Sequence, residues 1–135
     1  MPALIPAGND HARRPAPGRV VLVDDDPAVR AALAFALEID GFAVQTFADA
    51  EAALDTDMGG ASCLVLDYRL PGQNGLDLLE RLRAGGADTP AVLITSQPKI
   101  AVRQRAAALG ARLVEKPLLN DDLVEAVRRM ARPAA

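Results

Sequence analysis

The chain has 135 residues, half of them apolar and about a quarter charged, with a net charge of −3. That length suits one globular domain with a real core. The slight acidity gives no reason to expect nucleic acid or a membrane surface as the main partner. No apolar run approaches the ~18 residues of a membrane span. The lone Cys63 excludes an intrachain disulfide framework. It favours a cytoplasmic setting and a buried structural thiol.

Residues 1–18, "MPALIPAGNDHARRPAPG", are rich in Pro, Ala and Gly and carry no period. They read as a flexible tail and lack the continuous apolar segment of a secretory signal. His11, the only histidine, stands there beside two arginines with no second ligand nearby. Residues 19–130 form the expected domain, and "ARPAA" (131–135) reads as a short fraying end.

Within 19–130, apolar runs alternate with helical patterns. "VVLV" (20–23) predicts a strand and "PAVRAALAFALEID" (27–40) a helix that stops before Gly41. "FAVQTF" (42–47) alternates like a second strand, and "ADAEAALD" (48–55) predicts a short helix that Asp49 could cap. "SCLVLD" (62–67) is a wholly apolar third strand. "GLDLLERLRA" (75–84) is a strongly amphipathic helix ended by Gly85 and Gly86. "PAVLIT" (90–95) is a fourth strand and "KIAVRQRAAAL" (99–109) a helix ended by Gly110. "RLVE" (112–115) is a fifth strand, and "LNDDLVEAVRRM" (119–130) the last helix.

Five β–α units in strict alternation predict an α/β fold, a doubly wound (βα)5 parallel sheet covered on both faces. Right-handed crossovers and the strand order 2-1-3-4-5 fit the length. Ligands of such sheets bind at the carboxyl ends of the strands, near the switch point between the first and third.

The residues at those ends are chemically selective. Asp24, Asp25 and Asp26 follow the first strand, Asp67 ends the third, Thr95 and Ser96 end the fourth, and Glu115, Lys116 and Pro117 follow the fifth. Asp26 precedes Pro27, and proline favours the first helical position, so Asp26 reads as a helix N-cap. The remaining carboxylates need a compensating cation. An all-oxygen set selects a hard divalent ion, best Mg²⁺. Lys116 adds a point positive charge suited to phosphoryl transfer, and Asp67 is the natural nucleophile.

The segments "VLVDDDPAVR", "LVLDYRLPGQNGLDLLERLR", "AVLITS" and "GARLVEKPL" together resemble the motifs of the response-regulator receiver domain of two-component signalling, which has the flavodoxin-like order above. The resemblance covers roughly residues 19–130. It implies that Asp67 is the phospho-acceptor, and that Asp24 and Asp25 hold Mg²⁺ with Asp67 and the backbone carbonyl of Arg69. It also implies that Thr95 moves to bond the phosphoryl group, that Lys116 pairs with it, and that Lys116–Pro117 is cis. The implied protein is a switch, not a turnover enzyme. Its phosphodonor would be a histidine kinase or phosphotransfer protein. Its output would be a downstream protein partner or an output domain not in this chain. Receivers also form homodimers, through the fourth helix, fifth strand and fifth helix or through the first and fifth helices.

Two departures stand out. Many receivers carry Tyr or Phe three residues before the lysine; here that residue is Leu113, and no aromatic follows Arg69. A smaller or altered conformational change is therefore expected. Arg69 and Gln97, two beyond the acceptor and two beyond the threonine, are placed to tune the lifetime of the phosphoryl group. Two other readings share the topology. A flavodoxin-like cofactor-binding protein would need a phosphate-cradling loop after the first strand, where three aspartates would repel phosphate. A metal-dependent phosphohydrolase of the haloacid-dehalogenase type would use the D-x-D of "DDDPAV" as its nucleophile motif.

Overall fold

The computed structural model describes residues 18–118 and 121–133. The expected tail through Pro17, with His11, and the first two residues of the last expected helix lie outside the described residues. The strands are β1 (Arg19–Val23), β2 (Ala43–Phe47), β3 (Ala61–Asp67), β4 (Ala91–Thr95) and β5 (Ala111–Glu115). The helices are α1 (Pro27–Ile39), α2 (Ala50–Leu54), α3 (Gly75–Ala84), α4 (Ile100–Ala108) and α5 (Asp122–Met130). All pairings are parallel, and the order is β2-β1-β3-β4-β5.

The strand sequences explain this order. β3 and β4 are buried at every position, as sheet interiors covered on both faces must be. β2 and β5 are half-exposed along their length and sit at the edges. The pleat then divides the core in two. Val20, Leu22, Cys63, Val65, Val92 and Ile94 face α1 and α5. Val21, Val23, Leu64, Leu66 and Leu93 face the other way, against α2, α3 and α4. Cys63 is fully buried, and burial pushes its thiol up to about 12, so it is an inert core residue.

Helix starts follow local chemistry. Asp26 Oδ1 accepts hydrogen bonds from the amides of Ala28 and Val29, with Pro27 at the first helical position. Asp49 caps α2 by accepting from Ala52 N, so that helix starts at Ala50 and is shorter than its sequence pattern suggests. Asn74 and Asp77 form a reciprocal capping box at α3. α4 differs. Lys99 gives it no side-chain cap, and Ala106 is its one buried residue. Val102 and Leu109 pack half-buried on the core, and ion pairs add to the hold, Arg103 to Glu115 and Arg105 to both Asp77 and Glu80.

The segment after α5 does not fray at once. Arg132 N donates to Ser62 O at 3.0 Å, at the point where β3 carries one extra residue opposite β1. The Arg132 guanidinium also reaches the carboxylate and the carbonyl of Asp88. No helix among the described residues is long and apolar enough to cross a membrane.

The capping role of Asp26 is directly measurable. Asp26→Ala should lower stability by about 1 kcal/mol, the usual loss for an N-cap, read as a lower urea midpoint at unchanged slope. A midpoint equal to wild type would remove the capping role.

Candidate functional site

Strand register alone brings the selected residues to one rim. Val23 pairs with Leu66, so Asp24 and Asp67 leave neighbouring strands at the same level. Asp67 pairs with Ile94, which places Thr95 one step beyond it on the next strand. Thr95 pairs with Glu115, and Lys116 follows. Lys116 N donates to Thr95 O at 2.8 Å, so the pairing continues past the strand end. The Lys116–Pro117 bond is cis.

The side chains converge accordingly. Asp24, Asp25 and Asp67 offer carboxylate oxygens that all lie within 4.8 Å of one another. Asp24 is 2% and Asp67 4% exposed, whereas Asp25 is open to solvent. Lys116 Nζ lies 3.2 Å from Asp67 Oδ1. That contact is an ion pair outside hydrogen-bond geometry, and Asp67 Oδ1 is buried with no hydrogen bond. Thr95 is 5% exposed at the end of β4. Asp26 stands apart, its carboxylate spent on the helix cap, which removes the second aspartate of a D-x-D nucleophile motif.

The charges do not balance. Among the described residues, one ammonium meets three clustered carboxylates. Burial pushes the Asp24 carboxyl above its ordinary value, and the neighbouring Asp67 and Asp25 charges add to this. A hydrogen bond from Asp26 N and the Lys116 charge act the other way. The donor set is all oxygen, and an oxygen of Asp67 has no hydrogen-bond donor. Both features fit a hard divalent cation such as Mg²⁺.

The loop after Asp67 is held against the strand it leaves. Gly75 N donates to Tyr68 O at 2.8 Å. A Cβ on Gly75 would lie 2.5 Å from Asp67 O, so any other residue there would push on the backbone of Asp67 itself.

Comparison with known proteins agrees with this geometry. A family model described as the response regulator receiver domain matches residues 20–128. The chain belongs to this family. FixJ, a transcriptional regulatory protein of Bradyrhizobium diazoefficiens, is 38% identical over 123 residues, covering 87% of this chain and 60% of FixJ. The chain thus spans somewhat over half the length of that relative. The structure of the response regulator StyR superposes with a TM-score of 0.78 at 37% identity, covering 85% of this chain and 59% of that one. The response regulator TrrA of Thermotoga maritima, solved in complex with Mg²⁺-BeF, gives 0.71 at 28% identity, covering 84% of this chain and 98% of that one.

Within this receiver, some site features were not legible in the sequence. Arg30 Nη1 donates to Asp24 O at 2.7 Å and fixes the acidic loop from one turn into α1. Its only signal is a lone arginine on a helix that is apolar up to Glu38. Gln97 takes a positive φ of 44° in the loop after β4, a conformation uncommon for glutamine that no turn signature announced. Among the described residues, the exposed Arg69 side chain makes no hydrogen bond or ion pair.

The raised Asp24 pKa has a pH signature. A carboxyl that binds its proton more tightly folded than unfolded makes the fold lose stability as pH rises from about 4 through its folded pKa. In chelator, Asp24→Asn should therefore be the more stable protein at pH 7, by on the order of 1 kcal/mol, and the two should converge towards pH 4. Denaturant titrations across that range check this, and a mutant weaker at pH 7 would contradict it.

Proposed function

We propose that this receiver is a phospho-acceptor switch. A histidine kinase or phosphotransfer protein donates a phosphoryl group to Asp67 in a Mg²⁺-dependent step. The change is read at the surface of α4, β5 and α5 by a downstream protein partner or an output domain. The observation that carries this reading is the buried Asp67 oxygen, ion-paired to Lys116 at 3.2 Å and grouped with Asp24 and Asp25. The family match and the Mg²⁺-BeF complex of TrrA support it.

In this scheme an Asp67 oxygen attacks phosphorus and the phosphorus–nitrogen bond of the phosphohistidine donor breaks. The leaving imidazole keeps that electron pair. Asp24, Asp25, Asp67 and the carbonyl of Arg69 would hold Mg²⁺, which supplies neutralising charge for the phosphoryl oxygens. Lys116 then pairs with a phosphoryl oxygen, and the Thr95 hydroxyl donates to another. Added charge of about −1.5 to −2 biases the neighbouring surface. Leu113 pairs with Leu93 and packs on the α2–α4 side of the core, so transmission runs through aliphatic repacking. The protein catalyses only its own phosphorylation and dephosphorylation. The absence of a membrane-crossing helix among the described residues is compatible with work in the cytoplasm.

Labelling with acetyl phosphate and Mg²⁺ should add one phosphoryl group by intact mass, and Asp67→Asn or excess chelator should abolish it. Retained labelling in Asp67→Asn would assign the acceptor elsewhere. The exposed Arg69 guanidinium, unpaired among the described residues, should shield the phosphoryl group from water. Arg69→Ala should therefore speed dephosphorylation severalfold, on the scale of losing one positioned donor, up to about 100-fold. An unchanged half-life would remove Arg69 from this role.

A further inference from the structure

Asp24 and Asp25 are adjacent, so one peptide sets how their two carboxylates stand to each other. That peptide is the carbonyl of Asp24 joined to the amide of Asp25. Asp25 is exposed and makes no hydrogen bond among the described residues. It is placed only through its flanking peptides. On one side Asp26 N donates to Asp24 Oδ1 at 2.9 Å, a bond that uses a carboxylate of the cluster itself. On the other side Asp24 O accepts from Arg30 Nη1 at 2.7 Å, a bond that uses none. Arg30 N donates to Asp26 O at 2.8 Å in the first turn of α1. Helical side chains lean towards the N-terminus, so an arginine at this position reaches back over the loop.

Charge does not explain this arginine. A fixed positive charge repels a divalent cation. Arg30 is half-buried at the base of the acidic loop, yet it makes no ion pair among the described residues. Its donor is spent on a backbone carbonyl, the contact of a group that orients and does not neutralise. We propose that Arg30 is a positioning residue that sets the preference of the Asp24, Asp25 and Asp67 site for Mg²⁺ over Ca²⁺. The inference rests on the cation reading of that cluster. Mg²⁺ demands near-ideal octahedral geometry at short distances, whereas Ca²⁺ accepts more oxygens in looser arrangements. An Asp24–Asp25 peptide free to rotate therefore penalises Mg²⁺ more than Ca²⁺. Groups that orient metal ligands from outside the ligand set contribute about 10- to 100-fold in affinity.

Amide-shift titrations of the whole isotope-labelled chain with Mg²⁺ and, separately, with Ca²⁺ give the two dissociation constants. The same spectra show whether each variant is folded. Arg30→Met keeps the aliphatic stem and removes the donors. Its Mg²⁺ affinity should fall at least about tenfold, and its Ca²⁺ affinity by less. Arg30→Lys keeps the charge and a donor, and its ratio of Mg²⁺ to Ca²⁺ affinity should lie between those of Arg30→Met and wild type. Charge alone predicts the opposite sign, because losing a positive charge would tighten both ions. Mg²⁺ held by Arg30→Met as tightly as by wild type, or more tightly, overturns the role of Arg30 alone. An equal loss for both ions does the same. If Arg30→Met does not fold, Arg30→Lys decides, and an unchanged ratio there overturns the proposal. A wild-type chain that binds neither ion overturns the cation reading of the site, and this role with it.

Discussion

Three carboxylates crowd one end of a parallel sheet because the register of four strands leaves them no other place. The fold sets this arrangement and the ionisable groups do not choose it. β1 and β3 deliver Asp24 and Asp67 at one level, and β4 and β5 step Thr95 and Lys116 alongside. The hydrophobic core imposes that register. A one-residue slip would turn every buried strand residue to the wrong face. The energy that holds the acidic cluster together is therefore spread through Val20–Val23, Leu64–Leu66 and Val92–Ile94, away from the charges themselves.

This division of labour explains the local architecture around the rim. The Asp24 carboxylate and the backbone of Asp24 and Asp67 are held in place. Asp26 N donates to Asp24 Oδ1, Arg30 ties down the carbonyl of Asp24, and Gly75 lets α3 close onto the backbone of Asp67. Lys116 offsets one charge only. The rim is thus left electrically incomplete, which suits the divalent cation and the transferred phosphoryl group of the proposed function.

The framework was legible because its signals are local. Uninterrupted aliphatic runs marked β1, β3 and β4, the Asp26–Pro27 pair marked the start of α1, and paired glycines marked the end of α3. The site residues were legible because strand ends are ordered by topology, which fixes who meets whom before any distance is known. What escaped depends on long-range geometry. The reach of Arg30 back to Asp24, the positive φ of Gln97 and the hold of Arg132 on Ser62 and Asp88 involve partners that no sequence period connects. The exposure of Phe35 and Ile39 on α1 was hidden for another reason. In a helix this rich in alanine, a stripe that serves the core and a stripe that faces water look alike.

The docking of α4 has a consequence of its own. An element with a single buried side chain and no N-terminal cap draws little cohesion from the hydrophobic effect. Beyond the half-buried Val102 and Leu109, its attachments to β5 and α3 are charged groups near the surface, and mobile ions weaken such pairs. The wall beside Thr95 is therefore responsive to its solution. Ionic strength acts on it directly, while the aliphatic strands a few ångströms away barely notice. The receiver behaves as a stiff frame with one compliant panel, and the tension of that panel is set by the surrounding salt.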